Sequence, residues 1–230
     1  NAGAMALHAG VNLAGDAIAR VTELIGSSID AFREDQVSVA GLTAALRANV
    51  DGFDGNTDAI EKTIASRMAL GFSDDAQREG LKILTAATHD ATTALDAQRV
   101  AMDLARFRGI DLSTASDMVA KAFNGNITSL KKLGIELPKG TSGMAALAAI
   151  TKVAGAAASA YADTDLGKAE AATVRMSEVQ ERLGAAFSKA DAALKPLQAD
   201  VAEGAAEFIT RGIEGWTMLG AAVTKWSGDI

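Results

Sequence analysis

The stretch AMDLARFRGIDLSTASDMVAKA, residues 101–122, decides how this chain folds. A helical pattern runs into Gly109, the apolar Ile110 follows at once, and Asp111 stands where the next helix begins. Glycine accepts the left-handed conformation that closes a helix, and an apolar residue behind it packs back onto the last turn. Ser, Thr, Asp or Asn then caps the helix that follows. The same phrase is written as Gly71-Phe72-Ser73 and again as Gly134-Ile135-Glu136-Leu137-Pro138, where Pro138 is expected to open the next helix. The chain therefore reads as helices joined by tight, apolar-locked corners.

The apolar spacing outside these corners agrees. Leu7, Val11, Ala14, Ile18, Val21, Ile25, Ile29 and Phe32 recur at three and four, on one helix face. Val37, Val39, Leu42, Leu46 and Val50 continue the stripe after an expected bend near Gly41. The first break is Asp51–Asn56, and Asn56, Thr57 or Asp58 is expected to cap a helix that ends at Gly71. The run Thr85–Thr93 predicts another corner, because Thr and Asp prefer caps to helix interiors. The residues 129–133 read as a short helix, the loop 136–142 as the best internal boundary, and 143–161 as an alanine-rich helix. The longest regular stripe is Ala169, Ala172, Met176, Val179, Leu183, Phe187, Ala190, Leu194 and Leu197, with Gly184 and Pro196 interrupting it as an ideal rod. A last amphipathic helix is expected from Asp200 to about Trp226. No alternating run of β-branched and aromatic residues reads as a strand. The expected fold is all-α: an antiparallel bundle or array of about seven to nine helices with Gly-terminated corners. Three segments are expected, 1–50, 57–137 and 142–230, free to pack as one domain.

Composition narrows the function classes. The 230 residues are 49% hydrophobic and only 4% aromatic, enough to bury a core that is thin and rich in small side chains. The net charge is -7 with Lys and Arg scattered, which argues against a duplex-DNA surface and against an anionic membrane surface. No cysteine is present, so thiol nucleophiles, disulfides and thiolate metal sites are excluded. No basic segment precedes an apolar one in the manner of a signal peptide. The chain starts Asn1-Ala2, so we expect a piece of a longer protein.

The candidate sites each have a plain structural explanation. Asp54, Asn56 and Asp58 match the first half of a calcium loop, but Ala59 stands at the turn glycine and Ala65 at the bidentate Glu. Lys139-Gly140-Thr141-Ser142-Gly143 holds phosphate-loop residues in the wrong order and without a strand. His8 and His89 stand alone, and no nucleophile sits in an elbow. The acids Asp74, Asp75, Asp90, Asp96, Asp103, Asp163 and Asp165 are expected at helix starts or on polar faces. The segment from Gly143 to about residue 160 resembles a small-residue membrane helix, but Lys152 near its middle favours packing against other helices. No catalytic residue, cofactor or metal is expected.

The residues 71–197 resemble the tail length tape measure proteins of long-tailed bacteriophages and prophages. The likeness is carried by Gly71-Phe72-Ser73, the stretch 101–122, Asn124-Gly125-Asn126, Leu130 to Ile135, and the long helix from Ala169 through Arg182-Leu183-Gly184 to Lys195-Pro196-Leu197. The resemblance implies a virion component that acts in tail assembly, length determination and genome delivery, without catalysis. It implies tail tube or tail tip proteins and assembly chaperones as partners, self-association, and no direct nucleic-acid binding. It places the chain in the virion tail, and in the host bacterial cytoplasm during assembly. A ruler works through the rise of about 1.5 Å per helical residue, so 230 residues in one straight helix would span about 345 Å. The glycine corners fold this chain back instead, so it reads as a compact region of such a protein. The expected structural corners are Gly71, Gly109, Ile110, Gly134, Ile135 and Pro138, and the expected self-association stripe is Met176, Val179, Leu183, Phe187 and Leu194. The other readings are a membrane-active segment around 144–162 and, further off, a tail-associated wall hydrolase.

Overall fold

A computed structural model describes residues 2–132, 134–190 and 192, with side-chain environments from Arg20 onward. Among these residues the chain is all-α, without a strand. The helices are α1 (Ala2–Asn49), α2 (Asp58–Arg67), α3 (Asp74–Thr88), α4 (Ala91–Arg108), α5 (Leu112–Phe123), α6 (Thr128–Lys132), α7 (Gly143–Ala154), α8 (Ala157–Ala162) and α9 (165–190). A single 3-10 turn, Met68–Leu70, joins α2 to the first glycine corner.

The corners are formed as the pattern dictates. Gly71, Gly109 and Gly134 have φ of 79°, 64° and 73°. Ile110 N donates to Ala105 O at 3.0 Å, and Ile135 N to Leu130 O at 3.0 Å, the six-residue closure in which only a left-handed residue fits before the apolar one. Ile135 is buried, Ile110 packs against the core, and Phe72 is buried behind Gly71. Ser73 and Asp111 then cap α3 and α5, accepting from Ala76 N and Thr114 N. Pro138 departs from this scheme. It lies in an exposed loop whose carbonyl accepts from Thr141, and α7 starts only after Ser142.

The core sits where α3, α4 and α5 pack on one another, with α1 against α3, and α7 and α8 against α4. Leu42, Leu46, Ile64, Leu81, Leu84, Met102, Leu104, Leu130 and Ile150 fill it, with alanines between them. Small residues set the closest approach: a Cβ on Gly80 of α3 would stand 2.6 Å from Ser116 Oγ of α5. Two buried glutamines tie the layers. Gln77 Nε2 donates to Ile64 O and Phe72 O, and Gln98 Nε2 donates to Gln77 O at 2.7 Å while its Oε1 accepts from Arg67. The Gln98 amide is thereby satisfied at both ends and the Gln77 Nε2 at two carbonyls, while Gln77 Oε1 is buried without a hydrogen bond.

Two boundaries differ from expectation and a third falls where expected. α1 runs unbroken through Gly41, because a glycine inside a long helix weakens it without ending it. The corner expected within Thr85–Thr93 is present: α3 ends at Thr88, His89 turns with φ of 56°, and α4 starts at Ala91. The 143–161 segment is two helices, broken at Gly155 and Ala156, whose φ is 65°. The Ala158 N–H so freed donates to the buried Asp103 carboxylate at 3.0 Å. The expected helix from Asp200 to Trp226 lies outside the described residues.

Candidate functional site: an acidic junction around Arg78

Ser73 starts α3 and places Asp74 and Asp75 in its first turn, where carboxylates complement the helix dipole. Arg78 follows one turn later on the same face as Asp74, and Nη1 meets Asp74 Oδ2 at 2.7 Å. Two other helices aim acids at this guanidinium. Asp35 of α1 lies 2.8 Å from Nη1, and Glu61 of α2 lies 2.9 Å from Nη2 and 3.2 Å from Nε. Asp75 adds a longer contact at 3.3 Å. The Arg78 side chain is 6% exposed and Asp74 9%, so this is a buried ion cluster and not a surface pair. Burial alone disfavours the arginine's charge; the Glu61 hydrogen bonds and the charges of Asp74, Glu61 and Asp35 outweigh it and push its pKa upward.

α9 brings two more acids to the same place. Carboxylate oxygens of Asp74, Glu178 and Glu181 lie within 4.8 Å of one another, as do those of Asp35, Asp74 and Asp75. Desolvation, then the charges of Asp74, Glu178, Asp35 and Asp75, push the Glu181 carboxyl up to about 8. Glu178 is raised too, by desolvation first and Asp74 second. Arg78 supplies the positive charge that binds Asp35, Glu61 and Asp74 together, and it forms no ion pair with Glu178 or Glu181 among the described residues. What the arrangement can do chemically is hold a proton on α9 near neutral pH.

A second polar cluster anchors the start of α9. Arg106 lies between the rings of Phe72 and Tyr161, 4.3 and 4.2 Å from their centroids, and donates to Leu70 O and Gly71 O. Glu170 bridges it, 2.8 Å from Arg106 Nη2 and 2.7 Å from Tyr161 Oη, and this hydrogen bond raises the tyrosine pKa. Three of the shallow grooves among the described residues flank these helices. The largest, about 620 Å³, lies between α1 and α3 and is lined by Arg33, Val37, Asp75 and Lys82 among others. The others, about 460 and 260 Å³, flank α4.

Of the acids expected at helix starts or on polar faces, Asp90 caps α4; Asp111, expected to open the helix after Gly109, caps α5, and hydrogen bonds from Thr93 and Thr114 lower the pKa values of the two. Asp103 is a correction: it lies inside α4 and is buried, with the Ala158 amide as its fixed partner, while Asp74, at its expected helix start, is buried against Arg78. Asp54 and Asn56 spend their side-chain oxygens on the backbone amides two residues ahead, which makes a turn. His89 Nδ1 is 3.2 Å from Asn49 O. On α9, Met176, Val179 and Leu183 are exposed, Phe187 is half-buried, and Leu194 lies outside the described residues. Gly184 does not interrupt α9. It lets the helix backbone press on α1, where a Cβ would stand 1.8 Å from Ser28 O.

Arg78 escaped sequence reasoning. Its signal was the Asp-Asp-x-x-Arg order at a helix start, and the partners Asp35, Glu61, Glu178 and Glu181 are up to about a hundred residues away in the chain. No family profile, curated protein or solved structure matches this chain.

Proposed function

We propose that the chain is a structural, non-enzymatic region of a tape-measure-like phage tail protein, working in tail assembly, length determination and genome delivery. The support for this reading is the order of its parts: Gly-apolar corners at 71, 109 and 134, an Asn-Gly turn at 124–125, an alanine-rich helix, then a long helix with an apolar stripe. The three corners close real helices, and the stripe residues Met176, Val179 and Leu183 stand 65%, 49% and 38% exposed. Exposed apolar side chains at helical spacing suit a surface for self-association or for tail tube, tail tip and chaperone partners. On this reading the chain resides in the virion tail after assembly in the host cytoplasm. The experiment is to purify tails from a host carrying this reading frame, with and without an in-frame deletion of residues 57–190. Recovery of the protein in assembled tails, with short or absent tails in the deletion strain, supports the reading. Normal tails that lack the protein reject it.

One observation favours a membrane-active role in genome delivery. Residues Gly143–Ala162 are long and apolar enough to cross a bilayer, and only 28% of that stretch is buried. The break at Gly155 and the exposed Lys152 weigh against a straight span. Dye release from liposomes by the chain, lost on Ala148→Glu, would favour this reading over the first.

A further inference from the structure

We propose that α9 is a proton-operated clasp: it lies along α1 and α3 while the junction with Asp74 holds a shared proton, and its outer half separates from them when every facing carboxylate is ionised. The packing leaves this helix weakly held. Between 165 and 190 only Gly167, Ala171 and Gly184 are buried, while Leu166, Met176, Val179 and Leu183 face outward. An element without a large buried side chain sits at the low-stability end of a fold. Its base is fixed by Glu170 on Arg106 and Tyr161, and its outer half touches α1 through Gly184 on Ser28 and Phe32.

Between these two anchors the contact is acid on acid. Glu178 and Glu181 of α9 face Asp74 and Asp75 of α3 and Asp35 of α1, while Glu61 of α2 holds the far side of Arg78. The cations acting on Glu178 are Arg78 and Arg182, Arg33 and Lys82 line the α1–α3 groove beside Asp75, and the ion pairs of Arg78 go to Asp35, Glu61, Asp74 and Asp75. Neither Glu178 nor Glu181 forms an ion pair among the described residues. Carboxylates within 4.8 Å of one another cannot all ionise without repulsion, and a shared proton is the relief that carboxylate pairs adopt. The upward shift of Glu181 to about 8, and of Glu178, agrees with this geometry. A raised acid binds its proton more tightly docked than free, so docking is favoured at low pH. It weakens as pH rises from the ordinary glutamate value of 4.5 through about 8.

The test uses the full chain, whose lack of cysteine allows a clean pair of labels. Ser27→Cys on α1, beside the Gly184 contact, and Ala186→Cys on α9, both exposed, carry nitroxides, and pulsed EPR measures their separation at pH 5.5, 7 and 8.5 with a chelator present. We expect one short distance at pH 5.5 and a longer, broader population that grows about tenfold relative to it by pH 8.5. One linked proton permits at most about tenfold per pH unit, and solvent screening reduces that. The near-isosteric Glu178→Gln/Glu181→Gln pair should keep the short distance at every pH. A distance distribution that ignores pH overturns the proposal. So does a pH response that survives the double Gln change, or a loss of total helix content in step with the separation.

Discussion

Replacing Arg78 by Met keeps the bulk of the stem and removes the charge. Asp74, with 9% of its side chain accessible, and Asp35, with 18%, are then left without their cation. Removing one partner of a buried pair costs about 3–5 kcal/mol, while Glu61 and Asp75, at 27% and 46% accessible, lose no more than about 1 kcal/mol each. Asp35 and Glu61 retain enough water contact to place the total near the low end, about 3 kcal/mol. At about 2–4 °C per kcal/mol for a domain of this size, Tm falls by about 6–12 °C. Urea unfolding followed by circular dichroism at pH 7 reads the loss. Orphaned carboxylates take up protons, so the deficit should shrink at pH 4. Asp74→Asn added to Arg78→Met should recover part of it at pH 7. A deficit under about 1 kcal/mol at pH 7, or one that stays the same at pH 4 and in the double variant, would refute the view that Arg78 neutralises a buried acid cluster.

Three further outcomes follow from the packing and the caps. Gly80→Val drives two methyl groups toward Ser116 Oγ, which a Cβ alone would approach to 2.6 Å; the loss should be about 2 kcal/mol by chemical denaturation. Asp111→Ala removes the α5 cap and should cost about 1 kcal/mol at pH 7. The pKa of Asp111 is lowered in the fold, so its stabilisation is present above the ordinary value of 3.8 and lost as pH falls through the lowered one; wild type and variant should converge there in a pH series. Ala156→Gly relieves a left-handed alanine at φ 65° and should stabilise the chain by about 0.5–1 kcal/mol, read as a rise in Tm. A neutral or negative shift would mean that the Asp103 contact to Ala158 depends on the alanine.

Local chemistry made much of the fold legible. Gly109 before Ile110 and Asp111 allows one conformation that closes a helix, buries an apolar side chain and caps the next helix, and no distant residue is needed to see it. The run Thr85–Thr93 was legible as a corner, but His89 as its turning residue was not, and Ala156 was not legible at all, because neither residue type prefers positive φ. Each is held there by what surrounds it: the cap of α4 by Asp90 behind His89, and the Asp103 carboxylate behind Ala156. Gly184 was legible as a glycine but not as a contact, since its meaning depends on where the α1 backbone runs.

The chain order alone determined that this protein is a set of helices, where most of them stop, and that thiol chemistry is excluded, because capping and periodicity act over a few residues. Only the tertiary structure decided that Asp35, Glu61, Asp74 and Asp75 share one arginine, and that α9 brings Glu178 and Glu181 against Asp74 with its apolar face outward. Charge interactions depend on distance through space, and a sequence carries no record of which of its twenty-nine acids meet.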